Sequence, residues 1–262
     1  MDLISSDVRY FELGARIETV ADVRLAWMPG LADVPAACVV LGADSWSLGK
    51  DEVKALEALE ARVAEIGGSR VRLYVQPDAS TVLARTLLRR GYTSRFEQGL
   101  ILTRRIPGAE AVTLQRIVDE DDWMLKEILH RESPDTPDGH ATAPERWVEL
   151  ERRKTAPQGL VPWLIRVGER VAGTAGTMEH GPLLRLKNIL VHRGLRRRGI
   201  ASAAVAAFGL VAEEQGRTLG FFGVEGTPGA AVYRACGMTP VARWVEWLGP
   251  PIGAQRPTEE RT

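Results

Sequence analysis

Apolar residues recur along the chain with two periods, one typical of helices and one typical of strands. In residues 51–66 they stand three or four apart, as at Leu56, Leu59 and Val63, which predicts an amphipathic helix that ends at Gly67. Short apolar runs bounded by turn residues predict strands. The predicted helices are 51–66, 80–90, 119–130, 144–154, 200–212 and 228–236. The predicted strands are 36–41, 71–75, 96–103, 112–117, 160–167, 171–179, 186–191, 219–224 and 241–248. Residues 1–35 show no clear pattern.

This order of elements predicts an α/β (α+β) protein with a mixed sheet and helices on both faces. The chain has 262 residues, a length that favours two compact domains. Arg104 to Ala109, with Pro107-Gly108, reads as a linker, so the predicted domains are 1–105 and 106–250. Residues 251–262 are rich in Pro, Gly and charge and are predicted to be a disordered tail.

The amino-acid composition argues against several classes of function. Apolar residues make up 45% of the chain and the formal net charge is zero, which argues against a general nucleic-acid coat. The two cysteines, Cys38 and Cys236, suggest neither a disulfide framework nor a metal site, and a reducing cytoplasm fits them best. No apolar run reaches 18 residues, so we expect a cytoplasmic protein without a membrane partner. The four histidines show no metal-ligand spacing.

The most informative stretch is the basic turn at 192–199, between a predicted strand and a predicted Ala-rich helix. The free backbone N–H groups at a helix start carry about half a positive charge, and Gly199 lets an anion approach them closely. Arg196, Arg197 and Arg198 add formal charge, so the turn is suited to a phosphate or pyrophosphate. The simpler alternative is a solvated Arg-rich turn that only caps the helix.

The run Arg196-Arg197-Arg198-Gly199-Ile200-Ala201 resembles the Arg/Gln-x-x-Gly-x-Gly/Ala signature of the GCN5-related N-acetyltransferases (GNATs). The resemblance implies that this loop, with Ser202, binds the pyrophosphate of acetyl-coenzyme A. It also implies a mostly antiparallel sheet in which the strand before the loop diverges from its neighbour. The main chain of Ile189, Leu190 and Val191 would then pair with the pantetheine arm. Arg193 stands where the family usually has Pro.

A second segment supports the resemblance. Gly229 to Met238 is similar to the family's Ala-x-x-x-Tyr-x-x-x-Gly-Phe segment, which implies that Tyr233 lies near the thioester sulfur. A phenol can donate a hydrogen bond to the departing thiolate. The family's Asn at the start of this segment is replaced by Gly226. The alternative is a tyrosine whose ring lies in the core of an amphipathic helix.

The turn and helix pattern of Leu73 to Tyr92 parallels that of Phe221 to Met238. This similarity suggests an internal duplication, in which residues 1–105 form a degenerate GNAT-like domain and 106–250 the catalytic one. The first copy has no Arg-x-x-Gly-x-Ala loop and would bind no coenzyme. Alternatively, two strand–helix–strand units share similar turns by convergence.

An amine acceptor must lose its proton before it attacks a thioester, so the mechanism needs a base or a water relay. Glu179 is the first candidate for this base, followed by His180 and His192. The loop 131–140 is placed like the family's acceptor-binding loop. Its acidic residues Glu132, Asp135 and Asp138 are candidates for attracting a cationic amine, or are simply part of a polar loop.

Together these features favour an N-acetyltransferase that moves an acetyl group directly from acetyl-CoA to a primary amine of a small molecule or peptide. The expected cofactor is acetyl-CoA as co-substrate, with no metal, and the expected state is a monomer or homodimer. A non-catalytic module that binds or senses coenzyme A or acyl-CoA is the alternative. A nucleic-acid contact through the arginines is disfavoured by the neutral net charge.

Overall fold

The computed structural model describes residues 2–47, 51–78, 81–106, 111–134, 142–155 and 159–253. Its helices are α1 (Leu3–Glu12), α2 (Glu52–Glu65), α3 (Thr81–Arg89), α4 (Glu120–Glu132), α5 (Pro144–Lys154), α6 (Ile200–Glu214) and α7 (Pro228–Ala235). Its strands are β1 (Arg16–Val20), β2 (Val23–Trp27), β3 (Cys38–Leu41), β4 (Arg72–Val75), β5 (Thr93–Leu102), β6 (Thr113–Arg116), β7 (Leu160–Val167), β8 (Arg170–His180), β9 (Leu183–Val191), β10 (Thr218–Val224) and β11 (Met238–Leu248).

Every predicted helix and strand is present, with ends that shift by a few residues. The largest difference lies in residues 1–35, where the sequence shows no clear pattern and where the structure holds α1, β1 and β2. Helix α1 is short, and its buried face includes the polar residues Ser6 and Asp7 beside Leu3, Tyr10 and Phe11. Two polar residues on the buried face weaken the apolar periodicity from which helices are recognised.

The described chain divides into two compact units. The larger unit contains Met1–Gly14 and Phe96–Trp244, and the smaller contains Ala15–Arg95 and Val245–Thr262. These boundaries differ from the predicted division at 105/106, because α1 and most of β5 belong to the larger unit and the end of β11 to the smaller. The linker residues 107–110 and the tail residues 254–262 lie outside the described residues.

In the larger unit the strand order is β11-β5-β10-β9-β8-β7-β6. Strands β9 and β10 run parallel, whereas β5 and β10, β8 and β9, β7 and β8, and β6 and β7 are antiparallel pairs. Leu184 and Leu186 of β9 pack with Phe208 of α6 in one buried cluster. Leu164 of β7 packs with Val148 of α5 in another. The predicted mixed, mostly antiparallel sheet with helices on both faces is confirmed.

The smaller unit has the strand order β1-β2-β3-β4-β11, in which β3 and β4 run parallel. Its core packs α2 and α3 through Leu56, Leu59 and Leu87 against strand residues such as Val40 and Leu73. The unit therefore has a hydrophobic core of its own.

The order strand, helix, strand, helix, strand occurs twice, as β3–α2–β4–α3–β5 and as β9–α6–β10–α7–β11. In each series the first two strands are parallel neighbours, and the second helix is followed by a left-handed glycine, Gly91 or Gly237. The last strand of each series pairs with the middle strand of the other series, since β5 pairs with β10 and β11 pairs with β4. A Cβ at Gly237 would lie 1.9 Å from the carbonyl oxygen of Arg104, so only glycine fits there.

Candidate functional site

Strands β9 and β10 of the larger unit pair over a short stretch and then diverge. Their parallel ladder covers Thr218–Gly220 against Leu183–Arg185. Strand β9 then continues for six residues to Val191, and β10 for four residues to Val224, without pairing with each other. Backbone groups of β9 that face β10 here are not used by the sheet. We call this opening the crevice, and the predicted divergence before the basic turn is confirmed.

A bulge in β9 accompanies the divergence. Opposite β8, Gly176 pairs with Lys187 and Thr174 pairs with Leu190, so two residues of β9 face one of β8 and β9 holds one extra residue. The first of the two, Asn188, has a left-handed φ of 51°. Its side-chain amide donates to the Tyr10 hydroxyl at 2.9 Å and to a Glu151 carboxylate oxygen at 2.8 Å. Bulges bend a strand and increase its twist, so these bonds hold β9 in the shape that opens the crevice.

The basic turn comes directly after β9. It begins with a 3-10 turn at Arg193–Leu195 and ends at Gly199, whose φ is 81°. Leu195 and Ile200 are buried in the core on either side of it, whereas the three arginines between them are exposed. Arg197 also has a left-handed φ, of 64°. A non-glycine residue held there costs about 1–2 kcal/mol, which shows that the surrounding structure determines this turn.

Side chains from the end of α4 hold the start of the turn. The Ser133 hydroxyl accepts a hydrogen bond from the Arg193 N–H at 2.9 Å. His192 Nδ1 accepts from the Gly194 N–H at 3.1 Å, so its Nε2 carries the proton and donates to Glu132 at 3.1 Å. We call Glu132, Ser133 and His192 the latch. Glu132, predicted to contact an amine acceptor, is therefore bonded to the basic turn.

Helix α6 begins without a carboxylate or hydroxyl cap. Its N-cap residue is Gly199, which has no side chain to accept a hydrogen bond, and the first turn of the helix holds no acidic residue. The N–H groups of Ile200, Ala201 and Ser202 precede the first intrahelical bond, from Ala203 to the Gly199 carbonyl. Unpaired N–H groups and the helix dipole make such an end attractive to an anion. Arg196 donates to the Val191 carbonyl at 3.1 Å, which joins the turn to the end of β9.

Known structures share this fold. A GCN5-related N-acetyltransferase from Kribbella flavida superposes with a TM-score of 0.64 at 18% identity, over 94% of this chain and 93% of that one. One from Sphaerobacter thermophilus gives 0.59 at 21% identity, over 90% and 77%. A Staphylococcus epidermidis protein described as functionally unknown gives 0.65 at 10%, over 88% and 91%. The chain has the GNAT fold. No protein-family model and no curated protein sequence matches the chain.

Within this GNAT fold, the structure places Tyr233 beside the crevice. Its ring lies 4.1 Å from that of Phe221, centroid to centroid, and a Cβ on Gly223 would lie 3.7 Å from it. Both positions belong to the part of β10 that has left β9. The side chain is only 7% exposed and also takes part in the core, so the two interpretations of Tyr233 are compatible.

Glu179, the predicted base, lies opposite the paired stretch of β9 in this GNAT fold. It pairs with Leu184, two residues before the crevice begins at Leu186. The Glu179 carboxylate is exposed and accepts from Arg217 at 2.6 Å. The role of Glu179 as the base stays a prediction, and Asp135 and Asp138 lie outside the described residues.

A buried ionic network lies on the other face of β9, and sequence reasoning missed it. Asp7 of α1 accepts from Arg185 at 2.9 Å and from Lys187 at 2.7 Å, and all three side chains are almost fully buried. Burial pushes the pKa of Asp7 up, but the two cations outweigh it and lower that pKa. The sequence signal that could have revealed this network was the presence of two basic residues in an apolar central strand.

The network continues to α4 and α5. Lys126 lies 2.6 Å from Glu151, and neither side chain is exposed. Lys154 donates to carbonyls at the end of α1, the shortest bond being 2.8 Å to that of Tyr10. Burial and the nearby Lys187 lower the pKa of Lys154 to about 7. Because unpaired buried charges are strongly unfavourable, these contacts fix α1, α5 and β9 relative to one another.

The described residues also bear on metal binding and on membrane insertion. In the ranges that the structure describes, His, Cys, Asp and Glu form no group of three that could hold a metal ion. None of the described helices combines the length and the apolar composition needed to cross a bilayer.

Proposed function

We propose that the protein is an acyl-CoA-dependent N-acetyltransferase that transfers an acetyl group from acetyl-CoA directly to a primary amine. The observation that carries this proposal is the crevice between β9 and β10 leading into an uncapped helix start with three exposed arginines. A pyrophosphate is the anion suited to several N–H groups and arginines at one turn. The GNAT fold of the structural neighbours points to the same chemistry.

In this proposal the turn Arg196–Ser202 binds the pyrophosphate, and the main chain of Ile189, Leu190 and Val191 pairs with the pantetheine arm. The thioester then reaches the part of β10 where Tyr233 packs. The amine attacks the carbonyl carbon, the carbon–sulfur bond breaks, and the electron pair goes to sulfur. The Tyr233 hydroxyl stabilises the departing thiolate by a hydrogen bond. Acetyl-CoA supplies the acyl group, and no metal takes part.

We further propose that the smaller unit is a degenerate copy that binds no coenzyme. Its helix α2 begins at Asp51, whose carboxylate accepts from the Lys54 N–H at 3.2 Å. This carboxylate occupies the anion position of the helix end and would repel a phosphate. We therefore assign the coenzyme site to the crevice of the larger unit, because helix α6 there begins without such a carboxylate.

The test is release of free thiol from acetyl-CoA in the presence of spermidine, L-lysine, kanamycin or the peptide Ala-Gly-Gly. We expect at least one amine to raise thiol release well above hydrolysis, with the acetylated amine identified by mass spectrometry. Tyr233→Phe should lower kcat about 10- to 100-fold and leave the Kd for coenzyme A unchanged. Tyr92→Phe, which removes a hydroxyl bonded to Glu60 in the smaller unit, is the matched control. Absence of coenzyme binding would refute the proposal.

The alternative is a module that binds coenzyme A without catalysis. It is favoured by one observation, namely that the carboxylate of the predicted base Glu179 is bonded to Arg217 at 2.6 Å. Tight coenzyme binding combined with no transfer to any amine in the panel would select this alternative.

A further inference from the structure

The crevice has an inner end, where the ladder between β9 and β10 stops. Arg185 of β9 and Gly220 of β10 form the last pair, and beyond them the two strands separate although both continue. In a parallel ladder, the backbone groups that face the gap pair with the opposite strand at regular intervals. Because buried backbone groups strongly favour hydrogen bonds, the contacts at this last pair bear directly on why the ladder stops.

The guanidinium of Arg185 lies at this point and bonds to both strands. Its Nη1 donates to the carbonyl oxygen of Leu186 in β9 at 2.7 Å and to that of Gly220 in β10 at 3.3 Å. Because one nitrogen reaches both oxygens, the two carbonyls face the gap between the strands. In a longer ladder the Leu186 carbonyl would accept from the next backbone N–H of β10. Arg185 therefore occupies the hydrogen-bonding position that a longer ladder would need.

Two further contacts hold the guanidinium in place. Its Nη2 donates to a carboxylate oxygen of Asp7 in α1 at 2.9 Å, and both side chains are buried. The ring of Phe222, in the part of β10 that has left β9, has its centroid 4.8 Å from the guanidinium carbon. A planar fork with five N–H donors can bond to a carboxylate and to two carbonyls at the same time.

A simpler role for Arg185 would be to neutralise the charge of Asp7. However, Lys187 also donates to Asp7, at 2.7 Å, so this carboxylate has a second basic partner. Charge neutralisation also does not require the bonds to a carbonyl of each strand. These bonds are what distinguish Arg185 from an ordinary partner in a buried ion pair.

We infer that Arg185 is a positioning residue that ends the ladder between β9 and β10 and thereby keeps the crevice open for the pantetheine arm. This inference rests on the proposed function, which assigns the arm to the crevice. Without the guanidinium, the buried Leu186 carbonyl loses its donor, and pairing with β10 is the nearest way to regain a hydrogen bond. The crevice then shortens from its inner end, whereas the basic turn at its other end keeps its own contacts.

The experiment compares coenzyme A with ADP, which has the diphosphate but no pantetheine arm. Both Kd values are measured by calorimetry in wild type and in Arg185→Met, which removes the donors but keeps a long unbranched side chain. We expect coenzyme A to bind at least about 10-fold more weakly to Arg185→Met, because the arm loses room in the crevice, and ADP to stay within about threefold of wild type.

The matched control lies in the smaller unit. There the buried Glu246 carboxylate is bonded by Arg72 and Arg95, just as Asp7 is bonded by two basic side chains. Arg72→Met removes one of these two partners and should leave both Kd values unchanged. If Arg185→Met does not fold, as judged by circular dichroism, Arg185→Lys takes its place in the comparison. This variant keeps the positive charge beside Asp7 but lacks the planar fork, and we expect the same selective loss of coenzyme A binding.

Equal weakening of both ligands would indicate a general structural role of Arg185 and would overturn the inference. Wild-type affinity for coenzyme A in the folded Arg185 variant would overturn the inference and leave the proposed function intact. A wild-type protein that binds ADP as tightly as coenzyme A would also overturn it, since the arm would then gain nothing from the crevice. A wild-type protein that binds no coenzyme A would refute the proposed function itself, and this inference with it.

Discussion

Both units contain the same local motif, in which a strand, a turn and a helix are followed by a second strand parallel to the first. The units differ in whether the two parallel strands stay joined at their ends. In the smaller unit β3 pairs with β4 up to its last residue, Leu41. Asp44, in the turn that follows, accepts from the N–H of Gln76 just beyond β4, which joins the two strand ends. In the larger unit β9 runs on past its last pairing with β10 and the ends stay apart.

The helices that follow these strands, α2 and α6, also begin differently. Helix α2 is capped by the Asp51 carboxylate, with Glu52 in its first turn, whereas α6 begins at Gly199 with three arginines before it. A carboxylate at the first position satisfies the N–H groups of the helix internally, and a left-handed glycine leaves them for a ligand. The comparison teaches that the same motif can end in helix starts of opposite charge, and on the proposed function this first turn decides whether an anion binds.

The largest expected effect comes from making α6 begin like α2. Gly199→Asp places a carboxylate at the helix start, where it competes with the pyrophosphate, and we expect the Kd for coenzyme A to rise on the order of 100-fold, or about 3 kcal/mol. Isothermal titration calorimetry measures this. Gly216→Asp is the matched control, since Gly216 also has a left-handed φ, of 65°, but follows the other end of α6. A Kd within threefold of wild type in Gly199→Asp would contradict the comparison.

The next effect tests the charge of the turn. Arg197→Gly removes one guanidinium while relieving the left-handed φ, and we expect coenzyme A to bind about 5- to 10-fold more weakly, as for one exposed ionic contact of about 1 kcal/mol. Arg197→Lys retains the charge and should stay within threefold. Because exposed charges are screened by salt, the difference between the two variants should shrink at high ionic strength. Equal Kd values at low salt would remove Arg197 from the site.

A change in the smaller unit tests whether the cap of α2 prevents that unit from binding coenzyme A. Asp51→Ala removes the cap of α2 and should cost about 1 kcal/mol in the free energy of unfolding, measured with urea. It should not create a second coenzyme site, since Asp44 still joins the ends of β3 and β4. Calorimetry should report one coenzyme per chain for both proteins. A second binding event in Asp51→Ala would show that the cap alone keeps the smaller unit inactive.

The smallest effect concerns the latch. Ser133→Ala removes the acceptor of the Arg193 N–H, and we expect a 2- to 5-fold rise in the Kd for coenzyme A, consistent with the loss of one neutral hydrogen bond of about 0.5–1 kcal/mol. Thr86→Ala, which removes a hydroxyl bonded to Glu52 in the smaller unit, is the control and should leave the Kd unchanged. If both variants change the Kd alike, the latch has no specific role.

Much of the fold could be predicted from the chain because it is encoded locally. Helices such as 144–154 and strands such as 160–167 appear at the predicted residues, since apolar spacing, prolines and glycines act within a few positions. The basic turn is recognisable for the same reason: six consecutive residues carry the chemistry that an anion requires. That those six residues bind coenzyme A stays a prediction, which the calorimetric titrations test.

The features that were missed depend on pairing between distant parts of the chain. The buried contacts of Asp7 with Arg185 and Lys187 join residues 178 and 180 positions apart, and no local sequence pattern predicts them. The division into units differs from the predicted one because β5 and β11 exchange places, which follows from strand pairing and not from any linker composition. Glu179 is a suitable base by its chemistry alone, but only the fold shows that its carboxylate is bonded to Arg217.

By itself, then, the amino-acid sequence determined most of the helices and strands and the position of a basic turn suited to an anion, because backbone preferences and helix-end chemistry are local. Only the tertiary structure decided that β9 separates from β10 and that Asp51 caps one helix start while Gly199 leaves the other without a cap. Register and pairing set those relations, and they arise from contacts between residues that the chain brings together only when it folds.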